Sequence, residues 1–133
     1  MGCAQIKPKV LQIEVHCYFQ QKSLRNFCQD HSIVVEAFAP LGSPKTAVNL
    51  GKKVLLDDPT IGQLAKKYER SPAQIALRWL QQRDVIPIVS AETVQRIGEN
   101  VQIGDFSISE DDLKTIDALD CGERIFYFDS VPG

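Results

Sequence analysis

The sequence has no block of Lys and Arg: its 15 basic and 17 acidic residues are interspersed, and the formal net charge is −2. A phosphate backbone or an anionic membrane surface demands concentrated positive charge, so neither nucleic acid nor membrane is expected as a partner. No apolar run approaches the roughly 20 residues that span a bilayer. The opening Met1-Gly2-Cys3-Ala4-Gln5 has neither the basic nor the apolar region of a signal peptide. Ile6 stands where a myristoylation signal beginning at Gly2 would need Ser or Thr. Cys3, Cys17, Cys28 and Cys121 fit no zinc or CxxC spacing and are too sparse for a secreted disulfide scaffold. Reduced thiols and a cytoplasmic location are the expectation. His16 and Cys17 adjoin, but neighbours on a strand point to opposite faces, which argues against a shared metal. Short-period repeats and low-complexity segments are also missing.

What is there is an ordinary globular composition, 44% hydrophobic and 24% charged, in 133 residues: enough for one core and too little for two. Val10 to His16 reads as a strand, rich in β-branched residues. Gln21 to His31 reads as an amphipathic helix with Leu24, Phe27 and Cys28 on its apolar stripe. Ile33 to Phe38 is a second strand, so apolar that burial on both faces is expected. After Pro40, the residues Gly42, Pro44 and Gly51 mark a loop of about a dozen residues, a length that suggests function.

Asp57 or Asp58 before Pro59 opens a helix with Ile61, Leu64, Ala65 and Tyr68 inward. Ser71-Pro72 opens another, whose Ile75, Ala76, Leu77, Trp79 and Leu80 predict burial on more than one side. Val85 to Val89 is a third short strand, and Pro87 puts its end near a functional rim. Thr93 to Asn100 reads as a short helix. Ser109 opens the last helix with a capping-box spacing in which Asp112 replaces the usual Glu or Gln. An aromatic tail, Phe126-Tyr127-Phe128, follows Gly122. Strands alternating with helices imply crossovers and a parallel sheet, hence an α/β fold. Three strands are few for a domain of this length.

Several stretches together resemble the C-terminal half of the aldo-keto reductases: Lys7 to His16, Ala37 to Pro44, Ser71 to Trp79, Val85-Ile86-Pro87, Arg96 to Asn100 and Asp105 to Ser109. Each is weak alone, but all of them in family order and spacing are specific, and they cover nearly the whole chain. The resemblance implies a partial (β/α)₈ TIM barrel comprising the last three strand–helix units, residues 1–133. A complete barrel needs about 250 residues and carries its site at the C-terminal ends of the strands.

Residue by residue, the resemblance implies a nicotinamide-cofactor site. Gln12 matches the glutamine that bonds the nicotinamide carboxamide, where an amide offers both donor and acceptor. Phe38 matches an aromatic, commonly tyrosine, that stacks under the nicotinamide ring, and Phe keeps the π-face. Ala39, Leu41, Gly42 and Ser43 match the loop over the pyrophosphate: Gly42 permits close approach, Ser43 offers a hydroxyl, and Ala39 lacks the hydroxyl common there. Arg96, Glu99 and Asn100 match the adenosine end. By residue type alone, Gln12 is an ordinary interior polar group, Phe38 a strand-end core aromatic, and the α-helical trio a solvated face.

NADP(H) is the family default. NAD(H) is the alternative, because Glu92 stands where other members place a basic residue and would repel a 2′-phosphate, while Arg96 would attract one. Leu11 also departs from the Asn that often precedes the glutamine. The family's catalytic tetrad of Asp, Tyr, Lys and His belongs to its first four strands, and none of those motifs occurs here. His16 and Tyr18 match a non-catalytic stretch. The expected catalytic set is therefore none: a truncated oxidoreductase that binds cofactor weakly and is inactive alone unless a missing half-barrel pairs with it. The alternatives are a non-catalytic scaffold or interaction module that self-associates or pairs through its strand edges, and a degenerate chain with no stable fold.

Overall fold

The computed structural model describes residues 2, 5–91 and 93–127. Three parallel strands form one sheet in the order β1 (Val10–Glu14), β2 (Val34–Phe38), β3 (Val85–Pro87). Gln12 is in register with Glu36, Glu14 with Phe38, and Ala37 with Pro87, so the three strands end together. Six helices accompany them: α1 (Lys22–Asp30), α2 (Pro44–Asn49), α3 (Pro59–Tyr68), α4 (Pro72–Gln82), α5 (Val94–Val101) and α6 (Glu110–Asp117). The predicted strand and helix order is present, with ends trimmed by one or two residues.

Local chemistry explains the helix starts. Asp58 caps α3 by accepting from the amides of Thr60 and Ile61, and Pro59 takes the first helical position. Ser71 and Gln74 form a full reciprocal capping box on α4. The box expected at α6 is only half made. The Ser109 hydroxyl accepts from the Asp112 amide, but the Asp112 carboxylate bonds Tyr68 (2.5 Å) and Lys67 (2.7 Å) instead of turning back. The Ser109 amide donates to the Tyr68 hydroxyl at 3.0 Å, so α3 completes the cap of α6.

One face of the sheet carries the core. Val15, Val35, Ala37 and Val85 pack with Ile61, Leu64, Ile75, Trp79, Leu80, Leu113 and Ile116. As predicted, α4 is buried on more than one side. Trp79 is fully buried, and its indole N–H donates to Asp117 at 2.8 Å.

Two expectations are corrected. β2 is covered on one face only: Val10, Val34, Ile86 and Ile88 on the opposite side are 44–50% exposed. An apolar strand signals two-sided burial only when a second layer covers it, and the described residues provide one. The expected loop of a dozen residues is interrupted, because Pro44 takes the first position of α2. A 3₁₀ turn at Leu55–Asp57 then leads into α3.

Candidate functional site

The ends of the strands gather the first group of predicted residues. Gln12 and Glu36 lie side by side on the open face, the Gln12 amide donating to the Glu36 carboxylate at 3.0 Å. That bond uses one of two amide hydrogens and leaves the carbonyl oxygen for a second partner. Phe38, the last residue of β2, is half-buried, and its ring meets Phe126 edge-on at 5.8 Å.

The chain then turns sharply, with Ala39, Gly42 and Ser43 all in the left-handed region at φ 49°, 68° and 44°. Left-handed backbone suits Gly42; at each of the other two it costs on the order of 1–3 kcal/mol, strain of a kind that concentrates at functional loops. The Gly42 amide closes the turn on the Ala39 carbonyl at 2.9 Å. Leu41 packs against the core and holds the loop to the sheet. The Ser43 hydroxyl donates to Thr46 Oγ1 at 2.9 Å and makes no cap on α2, so it must leave Thr46 to donate to a phosphate.

The second group sits on α5, which packs chiefly on α4. Arg96 is exposed, and Glu99 and Asn100 are half-buried. Gln74 donates to the Glu99 carbonyl at 3.1 Å and thereby ties α5 to the capping box of α4. The Glu99 carboxylate accepts from Gln95 at 3.0 Å. Glu92, the residue expected to bear on a 2′-phosphate, lies outside the described residues, as does Phe128 of the aromatic tail.

Sequence reading missed a third group. Glu14 and His16 continue the alternation begun by Gln12, which puts all three on one face of β1 and its extension. Both are buried, Glu14 at 4% and His16 at 1% exposure, and His16 Nε2 donates to Glu14 Oε1 at 2.9 Å. The Glu14 carboxylate also accepts from the amides of Ile125 at 2.6 Å and Phe126 at 3.0 Å. Burial pushes its pKa up, but the bonds from His16 and the two amides outweigh that and hold it below the usual value. The available signal was the polar alternation itself.

Tyr18 and Cys17 are not poised for chemistry. Burial and a 2.5 Å bond to Asp58 push the Tyr18 hydroxyl up, and burial pushes the Cys17 thiol up. Among the described residues no group of three or more His, Cys, Asp or Glu could hold a metal ion, and no helix is long and apolar enough to cross a membrane.

A half-buried ring, a carboxamide with donor and acceptor, and a left-handed backbone turn suit a flat ligand with an amide on its ring and an anionic linker. The Aldo/keto reductase family profile matches residues 3–121. Aldo-keto reductase family 1 member A1 of Gallus gallus is 43% identical over 120 residues, covering 90% of this chain and 37% of that protein. Aldo-keto reductase family 1 member C3 of Homo sapiens is 42% identical over 126 residues, covering 93% and 38%. Among solved structures, an aldo-keto reductase crystallised with NADPH superposes with a TM-score of 0.88 at 31% identity, covering 99% of this chain and 44% of that one. The chain thus spans less than half the length of the relatives it matches. With a family profile over most of its residues and relatives above 40% identity, this chain belongs to the aldo-keto reductase family.

Proposed function

We propose that this chain is the C-terminal part of an NADP(H)-dependent aldo-keto reductase barrel, residues 1–133 forming its last three strand–helix units and supplying part of the cofactor bed. The observation that carries the reading is the convergence of Gln12, Phe38 and the Ala39–Ser43 turn at one end of the sheet. Gln12 holds the carboxamide, and Phe38 lies against the ring. The backbone of Ala39 and Leu41 and the Ser43 hydroxyl hold the pyrophosphate, and Arg96, Glu99 and Asn100 take the adenosine end. A bound nicotinamide supplies the hydride for carbonyl reduction. The NADPH in the superposable relative favours NADP(H), with NAD(H) the alternative.

Reduction also needs a proton donor facing the ring. Among the described residues at that end of the sheet, Glu36 accepts from Gln12, Glu14 is held as a carboxylate and His16 is bonded to it, while the Tyr18 hydroxyl is given to Asp58. The chain alone therefore binds cofactor without turnover. Fluorescence titration with NADPH, alongside an aldehyde reduction assay, tests this. Saturable quenching that Phe38→Ala weakens by about tenfold, with no turnover, is the expected result. Turnover at an ordinary enzymatic rate would remove the missing-donor part, and no NADPH binding by the unaltered chain would remove the bed.

A second reading, a non-catalytic interaction module, is favoured by the uncovered sheet face with Val10, Val34, Ile86 and Ile88 exposed.

A further inference from the structure

Residues Cys121–Tyr127 belong to no helix or strand, yet they are held at every step. The amides of Cys121 and Glu123 both donate to the Tyr18 carbonyl, at 3.2 and 3.1 Å. Arg124 lies over the Phe19 ring at 4.9 Å, and its carbonyl accepts from Lys52. The amides of Ile125 and Phe126 go to Glu14, and Ile125 is 5% exposed. The Phe126 ring abuts Phe38, and Lys52 sits over the Tyr127 ring at 5.1 Å. This strap crosses the ends of β1 and β2 and touches both the ring bed, through Phe38, and the segment after α2, through Lys52.

We propose that Glu14 is the latch of this strap: its buried carboxylate, braced by His16, captures two consecutive amides and thereby seats Phe126 against Phe38. The latch is argued from geometry that stands by itself; what it controls, access to the nicotinamide bed, rests on the function proposed above.

Three observations converge. First, among the described residues no lysine or arginine pairs with Glu14. A buried carboxylate with no lysine or arginine partner requires several donors, and two of its three come from the strap. Second, those donors are main-chain amides, so the latch fixes the backbone of residues 125 and 126 whatever their side chains do. Third, the neighbouring anchors differ in kind. The Tyr18 carbonyl holds the start of the strap with neutral bonds, while Lys52 grips the Arg124 carbonyl from the segment after α2. Losing Glu14 alone therefore frees Ile125 and Phe126, whose ring meets Phe38, and leaves the root of the strap in place. His16 belongs to the latch, because it fills one lone pair of the carboxylate and keeps Oε1 aimed at the Ile125 amide. Gly42 packs beside the His16 ring, which joins the latch to the turn after Phe38.

The test is site-resolved hydrogen exchange on the full chain at neutral pH. Glu14→Gln keeps the shape but turns one acceptor into a donor facing an amide, and Glu14→Asp withdraws the carboxylate by one methylene. Both should speed exchange at Ile125 and Phe126 by at least about tenfold while Val35 and Ala37 in the sheet stay protected. Phe126→Ala should leave the Ile125 amide protected. Protection at 125 and 126 that stays within about twofold in both Glu14 variants overturns the latch. So does loss that spreads equally to Val35 and Ala37 in both, because Glu14 is then a general core residue. NADPH titration of the same variants decides what the latch controls. Latch variants and Phe126→Ala alike should shift the affinity if Phe126 walls the bed. If the unaltered chain binds no NADPH, the function proposed above fails, and exchange still decides the latch.

Discussion

At the scale of single residues, the charged groups that matter are those whose ionised form the fold has paired. Glu14, Asp112 and Asp117 all have carboxyls held below their usual values. Around Asp117, burial raises the pKa, and bonds from Arg83 and Trp79 more than reverse it. For a carboxylate with a lowered folded pKa, the stabilisation is complete above the unfolded value and disappears as pH falls through the folded one. Urea midpoints should therefore fall progressively in acid, below about pH 4.5. Glu14→Gln should shallow that acid limb, because one of the three groups no longer titrates; an unchanged limb would exclude Glu14 as a contributor. Asp117→Asn should cost about 1–3 kcal/mol in urea unfolding at neutral pH, because it weakens the acceptor for the buried Trp79 indole N–H and removes the closer of the two carboxylates paired with Arg83. Gln12 and Phe38 were legible in the sequence because their neighbours form a recognisable run. Glu14 sits in that same run and was passed over, because two of its three donors lie 111 and 112 residues away and are backbone amides that no side-chain pattern reveals.

At the scale of elements, helix starts were the most legible feature, because Asp58-Pro59, Ser71-Pro72 and Ser109 are chemical statements made within four residues. The cap of α6 was misread for an instructive reason. Asp112 has the spacing to turn back on Ser109, but Tyr68 and Lys67 at the end of α3 compete for its carboxylate and win with two bonds. Tyr68 consequently joins two helices, donating to Asp112 and accepting from the Ser109 amide. Tyr68→Phe should lower stability by about 0.5–1.5 kcal/mol for each of the two bonds it removes, the one to Asp112 and the one from the Ser109 amide. Ser71→Ala, which breaks only a local capping box, should cost about 1 kcal/mol. Chemical denaturation of the two variants side by side checks the order, and an equal or reversed pair would mean that Tyr68 is not the tie between α3 and α6. The helix α2 escaped the sequence reading because Gly42, Pro44 and Gly51 read as loop punctuation; yet Pro at a first helical position is a start signal as much as a breaker. On α5, Gln74 of α4 holds the helix through the Glu99 carbonyl, while Val94, Ile97 and Val101 stay exposed.

At the scale of the molecule, the dominant fact is a sheet with one layer missing. Periodicity predicted the strands well and their cover badly, because an apolar strand reports that something should lie on each face without saying whether the same chain provides it. Val10 and Val34 are register partners, Ile86 is the register partner of Glu36, and the Gln12–Glu36 pair sits between them, so the open face is an apolar field with a polar centre. β1 and β3 are both edges. Pro87 removes one amide from the edge of β3, a common way of blunting an edge, whereas β1 contains no proline. Water must solvate that face in the isolated chain, and each of the four half-exposed side chains stands to gain roughly 1 kcal/mol from full burial. Association of two copies face to face and through β1 is the expected response at high concentration, since a two-fold arrangement satisfies both partners with one contact. Sedimentation velocity over a wide concentration range should show a reversible shift to dimer. Val34→Lys should abolish that shift, because it places a charge in the apolar field, while changing monomer stability by no more than about 0.5 kcal/mol, as befits an exposed site. A chain that sediments as a monomer throughout would mean that the Gln12–Glu36 centre keeps the face adequately wetted, and the case for an interaction module would then rest on a different partner or fall.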